Sequence, residues 1–144
     1  MTPVDLDRVL QIAGSLKDAP HWPRPAYLAA LDPQSALRRI ALVAEYPAGV
    51  VAGFAVASLL PPEAELESIA VAPEFQRRGL ALELFRGLLD AFRPAGITDV
   101  LLELRASNQP AWGLYRALGF ADAGRRSRYY HDPVEDAVLM RLGL

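Results

Sequence analysis

Val71-Ala72-Pro73-Glu74-Phe75-Gln76-Arg77-Arg78-Gly79-Leu80-Ala81 joins a strand-like run, Leu66 to Val71, to a helix-like run, Leu80 to Phe92. A strand-loop-helix junction of this kind is a natural anion site. The first N–H groups of a helix have no intrahelical acceptor and sit at the positive end of its dipole. Gly79 has no Cβ to keep a pyrophosphate off the main chain, Ala81 is nearly as small, and Arg77 and Arg78 add charge at the rim. Two common phosphate loops are absent: there is no Gly-Lys-Ser/Thr ending and no Gly-x-Gly-x-x-Gly.

Before this junction, Glu65 to Val71 reads as a strand with Leu66, Ser68 and Ala70 on one face and Glu65, Glu67, Ile69 and Val71 on the other. After it, Ala81, Leu84, Phe85, Leu88 and Phe92 recur at helical spacing until Arg93-Pro94-Ala95-Gly96 ends the helix. Thr98 to Arg105 is almost wholly apolar. Such a run predicts a strand buried on both faces, and the strand-helix-strand unit predicts a right-handed parallel crossover, with Glu103 out of place in it. Ser107-Asn108 can cap a further helix, with Pro110 in its first turn and Gly119 past its end. Phe120 to Arg128 and Asp136 to Leu142 read as the last two strands, joined around Tyr130-His131-Asp132-Pro133.

Toward the N-terminus, Asp5 to Leu16 forms an amphipathic helix through Leu6, Val9, Leu10 and Ala13. The prolines of Ala19-Pro20-His21-Trp22-Pro23-Arg24-Pro25 stop it, and a short helix follows over Ala26 to Leu31. Within that loop His21 and Trp22 have two readings, a packing plug and the lining of an entrance. Arg39 to Tyr46 and Val50 to Leu60 flank Pro47-Ala48-Gly49 as a hairpin. The order of elements predicts an α/β fold, a central mixed β-sheet with helices on both faces, formed by a single domain over residues 1–144.

Composition narrows the function classes. With 144 residues, 52% hydrophobic, 22% charged and a net charge of −2, the chain suits a soluble globular protein, not a nucleic-acid binder relying on bulk charge. No cysteine is present, so disulfides and thiolate chemistry are excluded; two histidines, His21 and His131, leave little for zinc, and no metal is expected. The longest apolar run, Val50 to Leu60, is too short for the ~20 residues of a membrane helix. No membrane segment and a cytoplasmic location are the expectation.

The eleven quoted residues resemble the Val-x-Pro-x-x-Gln/Arg-x-x-Gly-x-Gly/Ala loop of the GNAT superfamily of N-acetyltransferases. A second segment, residues 102 to 120, strengthens the likeness. Leu-Glu-Leu-Arg-Ala-Ser-Asn-Gln-Pro-Ala-Trp-Gly-Leu-Tyr-Arg-Ala-Leu-Gly-Phe is similar to that family's Arg-x-x-Asn-x-x-Ala-x-x-Leu-Tyr-x-x-x-Gly-Phe signature. With Arg125-Arg126, Tyr129-Tyr130 and Glu135-Asp136-Ala137, it looks most like the RimI-type branch, which acetylates the N-terminal alanine of a small-subunit ribosomal protein. The likeness covers about residues 64 to 142. It departs in two places: the chain opens almost directly on a helix, where the family's usual first strand is expected to be missing, and the loop ends in Ala81 where many members carry Gly.

The resemblance implies a GNAT-like fold and acetyl-CoA as the acetyl donor. It implies that backbone groups of Ile69, Ala70 and Val71 bond the pantetheine or acetyl group, and that Gln76, Arg77, Arg78, Gly79, Leu80, Ala81 and Leu82 hold the pyrophosphate. The residues are consistent with this, since parallel strands that separate at their ends leave main-chain groups for an amide-bearing ligand to satisfy like an added strand. Asn108, Ala111, Leu114, Tyr115 and Leu118 share one helical face, and seven residues at 1.5 Å put Asn108 and Tyr115 roughly 10 Å apart, the span of an extended pantetheine arm. Asn108 can then bond its amides, and Tyr115 stands where family members place a general acid.

For deprotonating the amine there are two candidates, Glu103 and Glu67. The resemblance favours Glu103, which precedes Arg-Ala-Ser-Asn as the RimI-type glutamate does; a structural ion pair with Arg105 on the same strand face is the competing reading. The leading expectation is an N-acetyltransferase acting by direct attack on a protein N-terminal amine, a ribosomal one on the branch resemblance. A polyamine, amino acid or antibiotic is the alternative acceptor, and a non-catalytic acyl-CoA-binding module the alternative class. No nucleic-acid partner is expected, and the chain is read as a monomer or homodimer.

Overall fold

In the computed structural model, which describes residues 1–144, Gly79 takes the left-handed backbone (φ 78°) and a helix begins at the next residue. That helix, α3 (Leu80–Phe92), lies between β3 (Glu63–Val71) and β4 (Asp99–Arg105), which are parallel. The boundaries expected from the apolar stripe hold, because Leu80, Leu84, Phe85, Leu88 and Phe92 are all buried against the sheet. Upstream stand α1 (Leu6–Gly14), α2 (Arg24–Leu31) and the hairpin of β1 (Arg38–Glu45) and β2 (Val51–Leu60). Downstream, α4 (Gln109–Ala117) is followed by the hairpin of β5 (Ala121–Tyr130) and β6 (Glu135–Gly143). No strand precedes α1; residues Pro3–Asp5 make a single 3₁₀ turn.

The six strands form one mixed sheet in the order β1-β2-β3-β4-β6-β5. Its two faces carry separate cores. On one, α3 covers Ala55, Leu66, Val100, Leu102 and Met140; on the other, Leu6, Val9 and Ile12 of α1 and Tyr27 of α2 pack on Phe54, Val56 and Ala70. Each fully buried leucine or phenylalanine contributes about 1.5–3 kcal/mol by leaving water, so α3 is the main fastening of the fold.

Two expectations about the strands are corrected. Strict alternation along β3 fails because Val56 and Ala57 pair with Ser68 and Leu66, which leaves Glu67 as the extra residue of a β-bulge. The faces exchange there: Ala64 and Leu66 belong to the α3 core, and Ala70 to the α1 core. Nor is β4 buried on both faces. Val100, Leu102 and Leu104 are buried while Asp99, Leu101, Glu103 and Arg105 are only half-buried, because α1 and α2 pack on β1 to β3 and leave the second face of β4 uncovered. Glu103 is therefore in place on the wet side of its strand.

The feature that positions the site is a short pairing. β3 and β4 run side by side only from Glu63, Ala64 and Glu65 opposite Asp99, Val100 and Leu101, and then diverge. β4 beyond this point continues to pair with β6, as far as Arg105 opposite Ala137, while β3 keeps only β2.

Candidate active site

A cavity of about 950 Å³ fills the gap between the diverging ends of β3 and β4. Its walls include Ile69, Ala70 and Val71 of β3, Glu103 of β4, and Asn108, Ala111 and Tyr115 along α4. Ile69, Ala70 and Val71 pair with Ala55, Phe54 and Gly53 of β2, so their other edge faces the cavity with no strand beside it. Backbone polar groups left this way seek a partner.

At one end of the cavity lie Gln76, Arg77, Gly79, Leu80, Ala81 and Leu82. The first backbone bond of the helix is made by Glu83 N–H to Gly79 O at 3.1 Å, so the N–H groups of Leu80, Ala81 and Leu82 precede any helical acceptor. Arg77 itself has a left-handed backbone (φ 63°), and the Gln76 side-chain amide donates to Val71 O at 3.2 Å, tying the loop to the strand end. Arg78 is placed differently from its neighbours. Its guanidinium donates to the Tyr46 hydroxyl at 3.0 Å and lies 4.9 Å over that ring, and it does not line the cavity.

Asn108 is the cap of α4, its Oδ1 accepting from Ala111 N–H at 3.2 Å; its amide NH₂ remains to donate. Tyr115, seven residues on, lies edge-on to Phe120, with ring centres 5.9 Å apart. Burial, with a smaller push from Tyr130, raises its phenol to about 12, so the hydroxyl keeps its proton.

The two candidate bases are differently held. Glu67 is bound by both oxygens to Arg39, at 2.8 and 3.4 Å. Glu103 pairs through one oxygen with Arg126 Nε at 3.2 Å, from an arginine that is itself 56% exposed. The Glu103–Arg105 pair of the competing reading does not form; Arg105 turns instead to Glu135 and the hairpin tip. Glu65, on the same side, is raised above the usual carboxylate range by burial and by the nearby charges of Glu67 and Glu103.

Three wall elements were not foreseen as part of the site. Tyr130, Arg105 and the segment from Leu16 to Pro20 all line the cavity. Tyr130 is raised by burial and by the charge of Glu103. The only sequence signal for these was indirect, the Tyr129-Tyr130 pair and the arginine inside the second motif. His21 and Trp22 divide between their two readings: His21 reaches the cavity wall, whereas Trp22 packs on Tyr27 with ring centres 5.3 Å apart.

Taken together, the cleft can grip a long, amide-bearing molecule with an anionic end, and it sets a carboxylate and a protonated phenol on the same cavity. Comparison with known proteins points to one family. The family model described as Acetyltransferase (GNAT) family matches residues 8–120. The chain is 43% identical over 96 residues to the [ribosomal protein bS18]-alanine N-acetyltransferase of Escherichia coli (strain K12), covering 65% of each chain. It is also 43% identical over 97 residues to the N-alpha-acetyltransferase RimI of Mycobacterium tuberculosis, covering 65% of this chain and 60% of the relative. The aligned part is thus just under two thirds of those relatives' length. In three dimensions the fold superposes on the crystal structure of the ribosomal-protein-S18-alanine N-acetyltransferase from Escherichia coli with a TM-score of 0.81 and 32% identity, over 99% of this chain and 90% of the other.

Proposed function

Since the chain belongs to the GNAT acetyltransferase family, we propose that it transfers the acetyl group of acetyl-CoA to a primary amine, the N-terminal α-amine of a protein. The observation that carries this is the divergence of β3 and β4 after Glu65 and Leu101, which puts a free strand edge, the orphan N–H groups of α3, Glu103 and Tyr115 around one cavity. Acetyl-CoA fits those groups. The N–H groups of Leu80, Ala81 and Leu82, with Arg77, suit its phosphates, and the free edge of Ile69 to Val71 with the Asn108 amide suits its pantetheine arm. Bound there, it supplies an acyl group activated as a thioester.

The chain's own residues then have two tasks. Glu103 Oε takes the proton of the acceptor amine, directly or through water, and Tyr115 Oη holds a proton for the departing sulfur. Magnitudes favour an N-terminus. An α-amine with a pKa of about 7.8 is already substantially neutral near pH 7.4, whereas deprotonating a lysine of pKa about 10.4 costs about 4 kcal/mol. A modest base suffices for the first.

The acceptor named for the Escherichia coli relative, an alanine of ribosomal protein bS18, is the first choice here also, taken as the N-terminal residue. Residues 1–144 then act as one acetyltransferase domain, a monomer or homodimer working in the cytoplasm. No helix of the chain is long and apolar enough to cross a membrane. The test is thiol release from acetyl-CoA with a peptide bearing the bS18 N-terminus, the same peptide blocked at its α-amine, and spermidine. Turnover of the free peptide alone is expected; turnover of spermidine with the peptide inert would transfer the assignment to small amines.

A further inference from the structure

The tip of the β5–β6 hairpin closes one side of the cavity through Tyr130, yet its own ladder is weak. Beyond Arg126 opposite Ala137 the register slips, and the next paired residues are Tyr130 and Glu135. Arg128 between them has a left-handed backbone (φ 51°), and its N–H bonds the Asp136 carboxylate at 2.9 Å instead of a strand carbonyl. A hairpin bulged in this way is not held in one place by its backbone bonds alone.

Arg105, the last residue of β4, supplies what the ladder lacks. One end of its guanidinium donates to His131 O at 2.9 Å, the other to Pro133 O at 3.1 Å and to the Glu135 carboxylate at 3.4 Å. The same planar group lies 4.6 Å from the centre of the Tyr130 ring. Glu135 in turn accepts from Ser107 N–H, which ties the hairpin to the start of α4. Two carbonyls, a carboxylate and a ring face are satisfied together only by a rigid, planar five-donor cation. Arg105 is 24% exposed and Glu135 16%, so these bonds are partly shielded from water.

We propose that Arg105 is a positioning residue for the acceptor: by fixing the hairpin tip it sets where Tyr130 stands in the wall of the cavity that Glu103 also lines. This rests on the acetyltransferase reading for its kinetic consequence, though not for its structural one. The α3 amides and the β3 edge, which suit the donor, have no contact with Arg105 among its bonds. Loss of Arg105 is therefore felt first in the hairpin, and so more by the acceptor than by the donor's contacts with α3 and β3.

The test compares Arg105→Gln and Arg105→Lys with the wild type, using amide hydrogen exchange of the whole chain and steady-state kinetics with the bS18 N-terminal peptide. Arg105→Gln is expected to speed exchange across residues 128–136 while leaving the body of α3, from Glu83 on, as protected as in the wild type. It is expected to raise the peptide KM about tenfold, the worth of one or two charged hydrogen bonds, with the acetyl-CoA KM within about twofold. Lysine restores the charge but not the fork, so Arg105→Lys should not recover the peptide KM. Unchanged exchange in the hairpin, or equal rises in both KM values, would overturn the proposal. If the wild type turns over no peptide, the N-terminal-peptide reading fails, while the exchange data still decide whether Arg105 holds the hairpin.

Discussion

Arg126 Nε lies 3.2 Å from Glu103 Oε1, and this pairing across β4, β6 and β5 decides how the candidate base is kept. Arg126 is more than half exposed and also lies against the Tyr129 ring, so it can swing away at small cost; such exposed pairs are worth about 0–1 kcal/mol. Glu103 is thus a carboxylate with one oxygen lightly held and the other without a hydrogen-bond partner. Glu103→Gln should lower kcat with an N-terminal peptide about 10²-fold, the low end for a general base because the α-amine is already partly neutral, with a change in melting temperature too small to explain it. Thiol-release kinetics and a thermal melt check both halves.

Glu67 should behave in the opposite manner. Arg39 occupies both of its oxygens, and the two side chains are only 20% and 16% exposed, so the pair is structural. Glu67→Gln is expected to keep kcat within about threefold while costing about 1–3 kcal/mol of stability, since Arg39 is left half-buried without its carboxylate. Urea denaturation alongside turnover measures this. A large fall in kcat with unchanged stability would exchange the roles of the two glutamates.

Tyr115 carries a pH prediction. Its folded pKa is raised from 10.0 to about 12 by burial, so the unfolded chain loses this proton first as pH rises. The stability tied to the neutral phenol is complete below pH 10 and is lost on the way to about pH 12, a total of roughly 3 kcal/mol. Urea midpoints should therefore fall more steeply between pH 9.5 and 11.5 in the wild type than in Tyr115→Phe, a comparison that cancels the other tyrosines. The same variant should lose about 10–10²-fold in kcat, with no alkaline limb below pH 10 traceable to this residue in the wild type.

The parts of the fold that depend on local periodicity were legible in the chain. Helix α3 ran from Leu80 to Phe92 as its stripe required, and the parallel β3–α3–β4 unit followed from the length of the crossover. Most of the expected site residues also meet on one cavity, because two motifs fix the start of α3 and one face of α4. What was not legible depends on neighbours distant in sequence. The bulge at Glu67 arises from pairing with Val56 and Ala57, and no alternation inside Glu65 to Val71 could show it. Arg105 was read against Glu103, two residues away, whereas its partners lie 26 to 30 residues on in a hairpin whose tip has no hydrophobic pattern. Arg78 was grouped with its neighbours by charge, yet Tyr46 on another turn draws it aside.

Gly79 gives the sharpest test of the phosphate-binding end. Its φ of 78° is one that side chains with a Cβ seldom adopt, while a Cβ built there would meet nothing within 4 Å. Gly79→Ala therefore acts through backbone strain alone, about 1–2 kcal/mol, and the strain falls on the residue that aims the N–H groups of Leu80, Ala81 and Leu82. Gly96, past the other end of the same helix, has φ 79° and equally open surroundings. Gly96→Ala should cost similar stability but stands away from the cavity wall. The acetyl-CoA KM is expected to rise about tenfold in Gly79→Ala and to stay near the wild-type value in Gly96→Ala, while the peptide KM moves in neither. Calorimetric titration with CoA measures the same difference without turnover. If the two variants bind CoA alike, the start of α3 does not hold the pyrophosphate, because strain of equal size at its two ends would then have had equal effect.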